Sequence, residues 1–300
     1  HRSRGVEAAM TKKCLALLCA PFLLAALASC DTSSFGNISQ HIGTAMTVVD
    51  QTSKAARPIS DEEEYYVGRA VAAKILGSYQ LTTNAQLTRY VNLIGRTVAL
   101  NSDKPYTYGG YHFAILETNE INAFAAPGGT IFITSGMIRT TASEDELAAV
   151  LAHEAAHISK RDGIAAIKSA RWTEALTVIG TTAARNYTSG EVSQLVSLFE
   201  GSIDDVFKTL VVNGYGRSQE YAADESAVQT LAKCGYDPRA LLSFLKRLEQ
   251  RSGSSGGGIT ATHPATADRI ENISGKIPST AQIHPRAIEA RAVRYGAAVR

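Results

Sequence analysis

Ser143-Glu144-Asp145-Glu146-Leu147-Ala148-Ala149-Val150-Leu151-Ala152-His153-Glu154-Ala155-Ala156-His157 is the stretch from which this fold can be read. Leu147, Val150 and Leu151 recur at helical spacing and give the segment one apolar stripe to bury. Ser143 stands where an N-cap belongs, with Glu146 at capping-box spacing, and acidic residues crowd the first turn, where the positive end of a helix dipole favours them. The segment is therefore expected to be a helix, on which side chains at i and i+4 share a face. His153 and His157 can then each offer a nitrogen to one Zn²⁺, with Glu154 beside them as base toward a water molecule. Ala155 and Ala156 are small enough for close packing. The same five-residue pattern also arises by chance, so context has to decide, and a third ligand is the test.

A catalytic zinc takes three protein ligands and keeps a fourth position open. Residues 218–228 predict a second helix with Glu220 and Asp224 again at i and i+4. Glu220 can bind the metal, while Asp224 accepts a hydrogen bond from the far nitrogen of a ligand histidine and fixes its tautomer. Alone, Glu220 would read as an ordinary exposed carboxylate; beside the two histidines it reads as the third ligand. The expected content is one Zn²⁺ per chain.

Four blocks in order carry a wider likeness. They are Asn122-Ala123-Phe124-Ala125-Ala126-Pro127-Gly128-Gly129 running into Thr130-Ile131-Phe132-Ile133-Thr134-Ser135-Gly136-Met137; the helix of His153 and His157; the helix of Glu220 and Asp224; and Thr262-His263-Pro264 with Arg269-Ile270. Over residues 60–278 the chain resembles the HtpX-like and CAAX-prenyl-protease-like zinc metallopeptidases, whose soluble bacterial members include periplasmic lipoproteins of the LoiP and BepA type. The resemblance implies an α+β, mainly helical gluzincin metallopeptidase domain over residues 60–280, with a small β-sheet beside the zinc-binding helix, cleaving protein or peptide bonds. Larger relatives continue into helical repeats that bind partners; residues 281–300 are expected as a C-terminal tail instead.

Residues 111–117 and 130–134 are rich in β-branched and aromatic side chains and predict strands, joined through Pro127-Gly128-Gly129 as a tight connection. A strand near the zinc helix can pair with an extended peptide through its main chain, which would give broad specificity; it can equally be a core strand. Helices are expected over residues 60–76 and 84–100. At 300 residues and 45% hydrophobic content the chain can bury one substantial core.

Lys12 and Lys13 precede an apolar run over residues 14–28, short for a membrane span and suited to a secretory signal. It ends in Leu27-Ala28-Ser29-Cys30, which resembles a lipobox and implies lipidation of Cys30; the alternative is a soluble secreted protein with Cys30 incidental. Residues 1–29 then form an upstream extension and signal peptide, and 30–59 an anchor and polar tether. Arg2, Arg4, Lys12 and Lys13 against Glu7 give residues 1–29 a net +3 of the formal +2, leaving −1 for the remainder, so nucleic acid is not an expected partner. Of four cysteines, Cys14 and Cys19 lie in the signal, Cys30 is the acylation site and Cys234 has no mate, so packing rather than disulfides must hold the domain.

Residues 172–184 and 191–212 contain apolar stretches that read as helices packed over the site, as a lid or dipping into a membrane. In the mechanism so implied, Glu154 takes the water proton and returns it to the leaving amine, and Arg269 or His263 stabilises the oxyanion. His263 follows the Gly/Ser-rich run of residues 252–258 and reads three ways: a metal ligand that closes the site, a transition-state donor, or a brace for a turn. The expected protein is a zinc endopeptidase of the bacterial periplasm, lipid-anchored to the cell or outer membrane and acting on misfolded envelope proteins with assembly or quality-control partners. The alternative is a chaperone or adaptor with little proteolysis.

Overall fold

The computed structural model of the chain describes residues 58–167, 189–252, 259–263, 266–278 and 283–299. Helix α1 (Asp61–Ser78) starts on a reciprocal cap: the Glu63 amide donates to the Ser60 hydroxyl and the Ser60 amide donates to the Glu63 carboxylate. Helix α2 (Ala85–Leu100) starts on Asn84, whose side chain accepts from the Leu87 amide. Both lie close to their expected spans.

Three strands follow, β1 (His112–Leu116), β2 (Ala123–Ala126) and β3 (Thr130–Thr134), in the order β1-β3-β2. β1 runs parallel to β3, with Phe113 opposite Ile131, and β2 antiparallel to it, with Phe124 opposite Phe132. Pro127-Gly128-Gly129 therefore joins β2 to β3 rather than β1 to β3. The expectation missed β2 because Ala123-Phe124-Ala125-Ala126 has no β-branched residue; burial on both faces and pairing with β3 make it a strand. Gly128 and Gly129 sit at φ 77 and 121, where side chains are strained.

Alternation through the sheet separates two cores. Phe113, Ile115, Ala123, Ala125, Ile131 and Ile133 face the larger one, with residues of α2 and of the helices that follow the sheet. Leu116, Phe124, Ala126 and Phe132 face the other, with Val67, Val71 and Ile75 of α1. A Cβ on Gly68 would stand 1.7 Å from the Pro127 carbonyl oxygen, so α1 meets the turn after β2 backbone to backbone. Gly68→Ala is expected to lower stability by about 1–3 kcal/mol, the usual cost of overpacking, read as a fall in Tm; an unchanged Tm would contradict this contact.

After the short α3 (Ser135–Thr140) comes α4 (Glu144–Lys160), the helix expected from the opening stretch. Ser143 caps it by accepting from the Glu146 amide, but the Glu146 carboxylate reaches one residue further back, to the Ala142 amide, so the box is not the reciprocal one expected. α4 ends on Arg161 in the left-handed region, held by the Glu64 carboxylate at 2.9 Å and the Ile59 carbonyl at 2.6 Å. The remaining elements are α5 (Asp162–Ala165), α6 (Ser189–Lys208) with a π turn at Thr209–Asn213, α7 (Arg217–Cys234), α8 (Arg239–Ser252), α9 (Ile259–Thr262), α10 (Thr266–Ser274) and α11 (Pro285–Val299). Residues expected as a tail thus include α11, which docks through Arg291 to Asp145, Arg294 to Glu144 and the Tyr295 hydroxyl to the Thr141 carbonyl. Among the described residues no helix is long and apolar enough to cross a membrane. The expected signal, Cys30, the tether up to residue 57 and the apolar stretch at 172–184 lie outside the described residues, as does the run at 253–258.

Candidate metal centre

α4 packs chiefly against α7, and Ala148, Ala152 and Ala155 of the first and Ala227 of the second are fully buried in the larger core. This close approach carries His153 and His157 of α4 onto Glu220 and Asp224 of α7. His263, just past α9, and Arg269 of α10 complete the group, and all six residues are 0–4% exposed. Among the described residues, His153, His157, Glu220 and His263 each present a ligand atom within 4.8 Å of the others.

Partners on the outer side fix the inward chemistry. His153 Nδ1 lies 2.9 Å from Asp224 Oδ1, and His157 Nδ1 lies 2.7 Å from Asp162 Oδ2. A carboxylate only accepts, so each Nδ1 carries a proton, and when the ring is neutral its lone pair is on Nε2. The two Nε2 atoms are 3.0 Å apart, and His263 Nδ1 lies 3.2 Å from that of His153. Glu220 closes the ring, with Oε1 at 3.0 Å from His263 Nδ1 and 3.5 Å from His157 Nε2. Lone pairs directed at one another and at a carboxylate repel unless a cation stands among them. These nitrogen and oxygen donors fit a divalent metal.

Burial would raise the Glu220 carboxyl, yet the charge of His263 and hydrogen bonds from His153, His157 and His263 drive it far below the usual carboxylate range. Burial likewise opposes ionisation of Asp224, but Arg269 outweighs it and holds the carboxyl down at about 2. Burial and the Arg269 charge push the His153 imidazole down; hydrogen bonds to Asp224 and Glu220 prevail and hold it up at about 9 in the metal-free chain. Among the described residues both Glu154 oxygens are buried without a hydrogen-bond partner, and His263 Nε2 lies 3.7 Å from Oε1.

The structure brings His153, Glu154, His157, Glu220, Asp224, His263 and Arg269 together. His263 faces the ring of donors instead of bracing a remote turn. Arg269, expected as an oxyanion donor, spans two carboxylates: Nε and Nη2 meet Asp224 at 2.8 and 2.7 Å, and Nη1 meets Glu220 at 3.0 Å. Two further residues had no place in the sequence expectation. Asp162 follows the end of α4 and is itself held by Gln219 Nε2 at 3.0 Å; a carboxylate five residues past His157 was the available signal. Tyr215 stacks on His157 with centroids 4.1 Å apart, its phenol pushed well above its usual pKa by burial and by Glu154, Asp162 and Glu220.

Comparison with known proteins agrees with this geometry. The description of Peptidase family M48 matches residues 85–277, which include all of these groups. The chain is 27% identical over 229 residues to the beta-barrel assembly-enhancing protease of Escherichia coli K12, covering 76% of this chain and 46% of that protein. It is 28% identical over 225 residues to the protein of that name from Yersinia pestis, covering 74% and 46%. Metalloprotease YcaL of Escherichia coli K12 is 24% identical over 168 residues, covering 56% and 63%. The chain spans about half the length of the first two relatives.

Proposed function

We propose, from the premise that the chain belongs to peptidase family M48, that it is a zinc-dependent endopeptidase acting on protein substrates at the bacterial cell envelope. The observation that carries the activity is the convergence of three imidazoles and the Glu220 carboxylate beside Glu154, a buried carboxylate with no hydrogen-bond partner among the described residues. His153, His157 and Glu220 would hold the metal, and Asp224 and Asp162 keep both imidazoles in the binding tautomer. The chemistry a bound Zn²⁺ supplies is Lewis-acid polarisation of the scissile carbonyl and a lowered pKa for the attacking water, to about 7. Glu154 takes the water proton as the water oxygen adds to the carbonyl carbon, then returns it to the amine as the C–N bond breaks. Arg269, clamped on Asp224 and Glu220, positions both carboxylates.

His263 stands where a fourth donor would exclude the reacting water, so we assign it to a closed state of the site. His263→Ala is expected to raise peptide turnover at equal metal content; lower kcat with KM unchanged would make it a transition-state donor instead.

The envelope setting is supported by the signal-like residues 14–28, by Leu27-Ala28-Ser29-Cys30, and by relatives named for beta-barrel assembly. Acyl chains on Cys30, each adding about 0.8 kcal/mol per buried CH₂, would hold the protein on a membrane. Cys30→Ser is expected to move it to the soluble fraction, and a wild type already soluble would remove the anchor from the account. Casein degradation by the purified protein, abolished by a chelator, tests the activity; a protein that binds unfolded casein without cutting it would be an adaptor.

A further inference from the structure

We propose that Tyr215 is a catalytic residue, its phenol donating a hydrogen bond to the substrate carbonyl oxygen as that oxygen becomes anionic. The inference rests on the peptidase reading of the metal centre and gives it a donor that the metal ligands and Glu154 do not provide.

Tyr215 lies between the π turn and α7, and its backbone is pinned: its amide donates to the Thr262 carbonyl at 3.2 Å, and at Gly214, with φ 74, a Cβ would stand 2.5 Å from that same oxygen. The ring is 5% exposed, stacked within 25° of parallel on His157, and its centroid is 6.0 Å from that of His263. Its hydroxyl is buried and has no hydrogen-bond partner among the described residues. Buried phenols ordinarily find one, because leaving the group unpaired is costly. A phenylalanine would fill and stack equally well without that cost, so packing does not account for the oxygen.

The reaction accounts for it. When the water oxygen bonds to the carbonyl carbon, the C=O π pair moves onto the carbonyl oxygen, and a preorganised donor there stabilises the charge. Glu154 takes the water proton and holds it for the leaving amine, and Arg269 has Nε, Nη1 and Nη2 each engaged by carboxylates. His263 turns Nδ1 to the donor ring and Nε2 toward Glu154. The Tyr215 hydroxyl is left as a neutral donor without an acceptor. It keeps its proton throughout: the pair on the oxygen re-forms the carbonyl as the C–N bond breaks and the amine takes its proton from Glu154.

Tyr215→Phe in the full zinc-loaded chain tests this. Expected are a fall in kcat of about 10²–10³, as for loss of one oxyanion donor, KM within about threefold, and a matching loss of affinity for a tetrahedral phosphinic peptide. Zinc content should be unchanged and Tm equal or higher, since the hydroxyl has no partner to lose. Retained kcat and phosphinate affinity would overturn the proposal, leaving an oxygen that a buried water satisfies. A drop in Tm or zinc content alongside kcat would overturn it too, by making the hydroxyl structural. A zinc-loaded wild type that cleaves nothing would instead bring down the peptidase reading itself.

Discussion

Glu154→Gln is expected to leave the zinc content and the fold of the protein intact while peptide hydrolysis falls by about 10²–10⁴, the contribution of a general base. The side chain keeps its size and loses only the capacity to take a proton. Among the described residues its two oxygens have no hydrogen-bond partner, so the exchange breaks no hydrogen bond, and a buried charge disappears. Tm should therefore be unchanged or raised, which separates loss of chemistry from loss of fold. Turnover retained in this variant would remove Glu154 from the reaction.

His157→Ala should act at the other end of the chain of cause, on the metal itself. The substitution removes one ligand and leaves Asp162 without the imidazole that shares its proton at 2.7 Å. Zinc measured by elemental analysis should drop from about one per chain to near zero, since a catalytic site with two protein ligands does not hold the ion. Hydrolysis should vanish with it, and Tm should fall, because a ligand that binds only the folded state no longer stabilises it. His112→Ala, at an exposed histidine on β1, serves as the control and should change none of these.

What the sequence made legible follows from the range of the forces involved. The helix carrying His153 and His157 is written in local terms, a cap, acidic residues in the first turn and an apolar stripe, and it forms as expected at Glu144–Lys160. Glu220 and Asp224 share a helical face for the same local reason, and stoichiometry alone called for a third ligand. β2 was not legible, because its strand character comes from burial and from β3 rather than from Ala123-Phe124-Ala125-Ala126. The approach of His263 to His153 joins residues 110 apart and depends on where α9 meets the π turn, which no spacing encodes. Arg269 could be named as a site residue, but not that Asp224 and Glu220 would occupy its nitrogens. The unpaired hydroxyl of Tyr215 is visible only once its surroundings are known.

The central claim is that His153, His157 and Glu220 hold one hydrolytic zinc. Anomalous-difference maps from crystals of the protein purified without chelator, with data collected on both sides of the zinc absorption edge, test it most directly. The account predicts one peak per chain, in contact with the imidazoles of His153 and His157 and the carboxylate of Glu220, that disappears below the edge. A zinc-replete protein with no peak there, or with its peak on other residues, would contradict it.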